Sequence, residues 1–148
     1  MPRIELDTIA QTNSTNYPAA LAGAVAGRFV RRLAPPFGVE DYGISHVVLK
    51  PGAASSQRHW HEEEDEFVVM LSGEAVLVEE GSRTAMRPGD LAVFPKAVAN
   101  GHQLLNESAE DCAFIAISGV PTGRAHYPDV DLHYPGTGGY CHKDGRPW

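Results

Sequence analysis

Two histidines and a following acidic segment have the types and spacing that could bind a metal ion. His59 and His61 lie two positions apart, so both side chains leave the same face if the segment is extended. Glu66 opens the next apolar run, and a tight hairpin turn would return its carboxylate to the side of His61. Two imidazoles and one carboxylate at one point suit a divalent transition metal. Zinc-like and non-haem-iron-like sites both use this set, and the sequence leaves that choice open.

A second segment could add a ligand to these three. Gly89 and Asp90 form a turn signal, an apolar strand follows at 91–94, and Pro95 ends it. After a loop, a further strand begins at His102. This strand would run beside the first ligand strands and could deliver a fourth ligand from the opposite side.

Each of these residues also has an alternative role. His59 and His61 could be a structural pair, and His102 could lie outside the metal set. Asp65 is the rival of Glu66, one residue earlier and on the opposite face of a strand. The acidic residues 62–64 are expected to form a solvated turn. Three histidines after residue 119 are expected to pack within the tail or to lie on the surface: His126, His133 and His142.

The period-2 pattern of strands also selects candidates for the wall of a pocket. Gln57 and Met70 share the faces of the ligands by parity, and Phe94 is a further candidate. Trp60 should point away from both neighbouring histidines and pack against a sheet. Tyr140 and Trp148 could cover the site if the tail folds over it.

Short apolar segments separated by turn signals dominate the chain from residue 42 onward. Together with a strand at 29–33 they number nine and favour an antiparallel sandwich or barrel, an all-β fold. The predicted strands that carry or flank the candidate ligands include 56–61, 66–71, 91–94 and 102–106. A short helix is expected after Pro18. The last segment, rich in glycine and proline, is expected to be irregular.

Composition excludes several classes of protein. The chain has 148 residues and a net charge of -7, so we expect one domain that does not bind nucleic acid or anionic membranes. Its two cysteines, Cys112 and Cys141, are expected to be reduced thiols. The start of the chain lacks the pattern of a signal peptide or membrane span, so we expect a cytoplasmic protein. Three arginines form the one basic cluster, read as a solvated strand face or as a contact with a partner or an anionic ligand: Arg28, Arg31 and Arg32.

The spacing of the candidate ligands resembles the two sequence motifs of the cupin superfamily. The first motif is carried by Gly52, His59, His61, Glu66 and Gly73. The second is carried by Gly89, Asp90, Pro95, His102 and Asn106. In the second motif, Ala97 stands where a glycine is usual, and the histidine comes two residues late. Further short sequence segments that match extend the resemblance to a bacterial group of single-domain cupins whose function is not established.

The resemblance implies a double-stranded β-helix, or jelly-roll barrel, with a metal in its mouth. An N-terminal arm and first strand would occupy 1–41, the barrel 42–118, and a tail packed on the barrel 119–148. The implied ligands are His59, His61, Glu66 and His102, and the metal could be zinc, iron, manganese, nickel or copper. Similar cupins pair through their sheets and arms, so a homodimer is expected.

Two classes of function follow from this resemblance. The first is a metal-dependent enzyme for a small molecule, of the dioxygenase, isomerase or decarboxylase type. The second is a non-catalytic module that binds or senses a small molecule. The fold supports many unrelated activities, so it does not choose between them.

Overall fold

A computed structural model describes residues 3–120 and 122–148. Strands dominate these residues and helices are short, which confirms the predicted all-β class. The eleven strands in the described ranges are β1 (Arg28–Arg32), β2 (Tyr42–Leu49), β3 (Trp60–His61), β4 (Glu66–Ser72), β5 (Ala75–Glu79), β6 (Ser82–Met86), β7 (Leu91–Phe94), β8 (Gln103–Leu105), β9 (Cys112–Gly119), β10 (Ala125–Tyr127) and β11 (Leu132–Tyr134). One α-helical turn, α1 (Ala19–Ala22), follows Pro18 as predicted, and 3-10 turns lie at Leu6–Thr8, Gly23–Val25 and Pro35–Phe37.

Two antiparallel sheets form the body of the molecule. The larger has the order β1-β2-β9-β4-β7 and the smaller has the order β6-β5-β8. Alternate residues of each strand face the space between the sheets, because successive side chains of a strand point to opposite faces. The core therefore draws on both sheets, with Val47, Leu49, Met70 and Phe114 from the larger and Leu77, Met86 and Leu104 from the smaller. Cys112 is buried here, and both cysteines are free thiols.

A glycine turn fixes the connection from β4 to β5. Gly73 has φ +68, a left-handed conformation that favours glycine. A Cβ at this position would lie 2.5 Å from the carbonyl oxygen of Asp111 and 2.7 Å from Cα of Cys112. This close approach holds β4, the strand that begins at Glu66, against β9.

The two ends of the chain pack on the same side of the barrel. Thr12 bridges Val30 of β1, so part of the arm extends the larger sheet. β10 pairs with β3 and with β11 in a third sheet of order β11-β10-β3. A second apolar cluster joins these strands to the arm and consists of Ala125, Tyr127 and Leu132 with Tyr17, Leu21, Val130, Tyr134 and Tyr140.

The tail is therefore more regular than its composition suggests. Its two strands have three residues each and lie among prolines and glycines, so no alternating pattern long enough to predict them is present. They form because β3 offers a partner edge. Within the described residues, no helix is long and apolar enough to cross a membrane.

Candidate metal centre

His59 and His61 lie at the start of the third sheet. The predicted strand at 56–61 is wrong in length, since only Trp60–His61 forms a strand and the residues before it make turns and bends. His59 instead forms an isolated bridge with His102, in which each backbone N–H donates to the other's carbonyl oxygen at 3.1 and 2.8 Å. The two imidazole rings are still neighbours, with centroids 4.8 Å apart and the edge of one ring facing the other. The spacing thus brings the pair together through a bridge and a short strand.

Glu66 is the point on which the histidines converge. Its Oε2 lies 3.6 Å from Nε2 of His59, 3.5 Å from Nε2 of His61 and 2.7 Å from Nε2 of His102. The candidate ligand atoms of His59, His61 and Glu66 all lie within 4.8 Å of one another. Three imidazole nitrogens and one carboxylate oxygen facing one point form a donor set that suits zinc or another first-row transition metal.

The other nitrogens of the two adjacent histidines face oxygen atoms. Nδ1 of His59 donates to the carbonyl oxygen of Gln57 at 3.0 Å and lies 3.2 Å from the Ser56 hydroxyl. Nδ1 of His61 lies 3.4 Å from Oε2 of Glu64. Metal-binding histidines usually present an outer N–H to such an acceptor, which leaves the inner nitrogen free to ligate. Both the candidate ligand atoms of His59 and His61 and the acceptors around their outer nitrogens are therefore compatible with a metal site.

The longer loop before His102 keeps its side chain in place. Ala97 has φ 62, the left-handed conformation for which the usual glycine would be suited. Its N–H donates to the carbonyl oxygen of His61 at 2.8 Å. The ring of Phe94 stacks on His102 with centroids 3.6 Å apart. After β8, the buried side chain of Asn106 donates to the carbonyl oxygens of Leu49 and Glu110.

Burial and mutual proximity set the charges of the cluster. Burial lowers the pKa of His59 to about 4, against the smaller effect of Glu66, and burial also lowers the pKa of His61. Burial would raise the pKa of Glu66, but contact with His102, His59 and His61 lowers it to about 2. At neutral pH the adjacent histidines are neutral and Glu66 is ionised. These are the protonation states that metal ligation requires.

The four acidic residues of the turn at 62–65 differ in burial and in their contacts. Asp65 is exposed, and its Oδ1 accepts the Lys96 N–H at 2.8 Å, so Glu66 and not its rival joins the cluster. The expected solvated turn at 62–64 is wrong for Glu64, which is only 7% exposed and lines the cavity. Burial, and then the charge of Glu66, raise the pKa of Glu64 to about 7. Glu63 is exposed as expected.

A cavity of about 340 Å³ opens beside the cluster. Phe94 lines it as predicted, together with Glu64 and Tyr140. Gln57 and Met70 were also predicted to line the pocket, but neither is among the residues of its wall. Met70 faces inward but lies deeper, in the core, at 1% exposed. Gln57 lies in the bend before β3, where strand parity does not apply, and its amide donates to the carbonyl oxygen of Leu21.

The cavity wall also contains residues that no motif indicated. Tyr127 of β10 stacks on His59 with centroids 5.6 Å apart, and Tyr17 of the arm contacts the edge of Tyr127. Burial raises the pKa of both phenols, that of Tyr17 to about 12. Only the aromatic content of the two chain ends hinted at these contacts. Trp148 lies outside the wall and stacks on His142.

The three histidines of the tail lie outside the wall of the cavity. His126 stacks on Trp60 with centroids 4.2 Å apart, and its Nε2 lies 2.8 Å from Oε1 of Glu62. The ring of His133 lies 5.0 Å from that of His126. Trp60 therefore points away from the candidate ligands and packs against the tail, as strand parity predicts.

Comparisons with known proteins agree with this geometry. The family model for the cupin domain matches residues 45–118. This chain belongs to the cupin family. A search of curated proteins gives no match to the sequence. Among solved structures, a sugar phosphate isomerase from Silicibacter pomeroyi, of the cupin superfamily, is 38% identical, with 99% of this chain and 96% of that chain covered and a TM-score of 0.93.

Two further structures extend the comparison of this cupin. A proposed sugar phosphate isomerase from Acidithiobacillus ferrooxidans is 26% identical, with 78% of this chain and 76% of that chain covered and a TM-score of 0.69. A polyketide cyclase from Streptomyces resistomycificus is 20% identical, with 80% and 79% covered and a TM-score of 0.67, and this likeness shows the fold alone. The cupin has the double-stranded β-helix that the resemblance implied.

Proposed function

We propose that this cupin is a metal-dependent enzyme that isomerises a small phosphorylated sugar. The observation that carries the proposal is the convergence of three imidazoles on one carboxylate in the wall of a cavity of about 340 Å³. A cavity of this volume suits a small organic molecule. The choice of isomerisation draws on the Silicibacter pomeroyi sugar phosphate isomerase, which is similar along nearly the whole of both chains.

His59, His61, Glu66 and His102 are the proposed ligands of a divalent metal ion. A bound metal would supply Lewis-acid chemistry, which polarises a carbonyl or hydroxyl oxygen of a sugar. The carbonyl oxygen of Gln57 orients the His59 ring through its Nδ1, and the carboxylate of Glu64 orients the His61 ring through its Nδ1. Zinc, iron, manganese, nickel and copper all remain candidates, because imidazole and carboxylate ligands serve each of them.

The cavity wall supports this assignment through its shape and polarity. Phe94 and Tyr127 pack against His102 and His59 and restrict the access of water to the ligands. Glu64 adds a buried carboxylate that faces the same cavity. The wall thus combines apolar side chains with many polar and charged ones, which suits a small polar substrate.

The experiment measures metal content and turnover on the same protein. Protein purified without chelators is analysed for its elements, loaded in turn with each of the five metals, and incubated with pentose and hexose phosphates. Interconversion of aldose and ketose is followed by NMR, with the double variant His59→Ala and His61→Ala as control. We expect turnover by the loaded protein and none by the control.

The runner-up function predicts a different result. A non-catalytic binding or sensing module would load with metal and bind a small molecule but leave the whole panel unchanged. That outcome, with full metal content verified, would overturn the enzyme proposal. The homodimer and the cytoplasmic location expected from the sequence remain predictions.

A further inference from the structure

We propose that Arg28, assisted by Arg32, binds the phosphate group of the substrate in the cavity that also contains the candidate metal ligands. This inference rests on the proposed function and adds the residues that recognise the substrate class. It uses a cluster that the sequence left open between a solvated face and a contact with an anionic ligand.

The register of β1 decides which arginines face the cavity. Arg28, Val30 and Arg32 pair with Leu49, Val47 and Ser45 of β2. Since Val47 and Leu49 face the core, the same face of β1 points inward. All three β1 residues line the cavity that contains His59 and Glu66. Arg31 lies on the opposite face, where it contacts Asp7 and the carbonyl oxygen of Ile9.

The two inward-facing arginines differ from all others in their partners. Within residues 3–120 and 122–148, every other arginine pairs with a carboxylate: Arg3, Arg31, Arg58, Arg83, Arg87, Arg124 and Arg146. Arg28, which is half-buried, and Arg32, which is exposed, pair with none in these ranges. The chain has 19 acidic and 12 basic residues, so a shortage of carboxylates does not explain the exception. Both arginines without a carboxylate partner in the described ranges lie in the wall of the cavity.

The donors of Arg28 are only partly used. Its Nη1 donates to the carbonyl oxygen of Ser55 at 2.7 Å, while its Nε is buried and lacks a hydrogen-bond partner in the described part of the chain. A guanidinium has five N–H donors, and a buried charge without a counter-charge is costly. Burial accordingly lowers the pKa of Arg28. An oxyanion in the cavity would supply the counter-charge and would accept from the outer guanidinium nitrogens.

The position of Arg28 suits a ligand that reaches from the arginine to the metal ligands. Ser55, whose carbonyl oxygen accepts from Arg28, precedes Ser56, whose hydroxyl lies 3.2 Å from Nδ1 of His59. Tyr17 and Tyr140 lie in the same part of the wall and carry hydroxyl groups. A sugar phosphate would place its phosphate at Arg28 and its sugar carbons toward Glu66. Two arginines suit a phosphate dianion better than a carboxylate.

Calorimetric titration of the metal-loaded protein with glucose 6-phosphate, gluconate and inorganic phosphate tests this subsite. We expect wild-type protein to bind glucose 6-phosphate more tightly than gluconate. Arg28→Gln should weaken glucose 6-phosphate binding by about 10- to 100-fold, because charged hydrogen bonds are lost. Arg32→Gln should have a smaller effect in the same direction. Arg31→Gln is the matched control on the opposite face of the strand and should bind like wild-type.

Several outcomes would overturn the assignment. Unchanged binding by Arg28→Gln, with the fold verified by circular dichroism, would remove Arg28 from the site. Tighter binding of gluconate than of glucose 6-phosphate would show that the subsite recognises a carboxylate and not a phosphate. Absence of binding by all three probes would also overturn it. If Arg28→Gln does not fold, Arg28→Lys and Arg32→Gln decide the same question, since a lysine keeps the charge but loses the planar guanidinium.

The test separates this inference from the proposed function. The double variant His59→Ala and His61→Ala should keep the Arg28-dependent binding of inorganic phosphate although it loses metal. If the loaded wild-type enzyme shows no turnover but this binding persists, the subsite stands and the isomerase proposal fails. If turnover occurs and Arg28→Gln leaves KM unchanged, the subsite fails and the isomerase proposal stands.

Discussion

β3 and β10 carry histidines on both faces of the third sheet, and the two faces differ in the number of candidate ligands and in burial. The inner cluster consists of His59, His61, His102 and Glu66, and it faces the barrel. The outer cluster consists of Trp60, His126, His133 and Glu62, and it faces away. His61 and Trp60 pair with Ala125 and His126 of β10, so one strand pair supplies residues to both clusters.

A close contact of histidine with glutamate occurs in both clusters and therefore does not by itself identify a metal site. His126 lies 2.8 Å from Glu62, about as close as His102 lies to Glu66 at 2.7 Å. The inner cluster differs because three imidazoles share one carboxylate oxygen and are removed from water. Burial there holds His59 neutral, whereas the side chains of His126 and Glu62 are each 33% exposed.

The largest expected effect is the loss of metal from the inner cluster alone. His61→Ala removes a ligand and should reduce the metal content from about one equivalent to background. His133→Ala is the matched control from the outer cluster and should retain the metal. Elemental analysis of both proteins, purified in parallel, measures the difference. Equal losses in the two variants would remove the distinction between the clusters.

His102 tests whether the inner cluster has three or four ligands. His102→Ala should lower metal affinity by at least about 10- to 100-fold, the range found even when residues that support a ligand are removed. Competition with a chelator of known affinity measures it in this variant and in His126→Ala. Loss of metal by His102→Ala alone supports the four-ligand site. Unchanged affinity would show that His102 neither ligates the metal nor holds Glu66.

The two glutamates of the turn give the smallest and most specific prediction. Burial raises the pKa of Glu64 from 4.5 to about 7, so between these values the folded state binds a proton that the unfolded state releases. Folding stability therefore falls as pH rises through this window. Contact with His126 instead lowers the pKa of Glu62.

Glu64→Gln should therefore gain stability over wild-type as pH rises from about 5 to about 8, by about 2 kcal/mol in metal-free protein. Glu62→Gln should not gain stability over wild-type across this range, because its carboxylate is stabilised in its charged form. Urea denaturation of the three proteins at both pH values measures the difference. A constant gap between Glu64→Gln and wild-type would show that the Glu64 carboxyl is not neutral in the folded state at the lower pH.

The candidate ligands and most strands could be predicted because their signals are local. His59 and His61 share a face through a two-residue spacing, and Glu66 follows one turn later. Residues 42–118 alternate between apolar segments and turn signals. The length of β3 could not be predicted, because His59 is held by its bridge to His102, 43 positions away in the sequence. The prediction that Gln57 shares the face of the ligands failed for the same reason, because Gln57 lies in a bend and not in a strand.

The sequence by itself determined the all-β class and the cupin motifs, since alternation, turn residues and spacing are properties of neighbouring residues, and the resemblance to cupins implied the four candidate ligands. Only the tertiary structure decided that Glu64 is buried, that Tyr127 stacks on His59, and that Arg28 faces the cavity without a carboxylate partner among the described residues. These features depend on which strands pair and in which register. Pairing between distant segments is set by the packing of the whole barrel, so no local pattern encodes it.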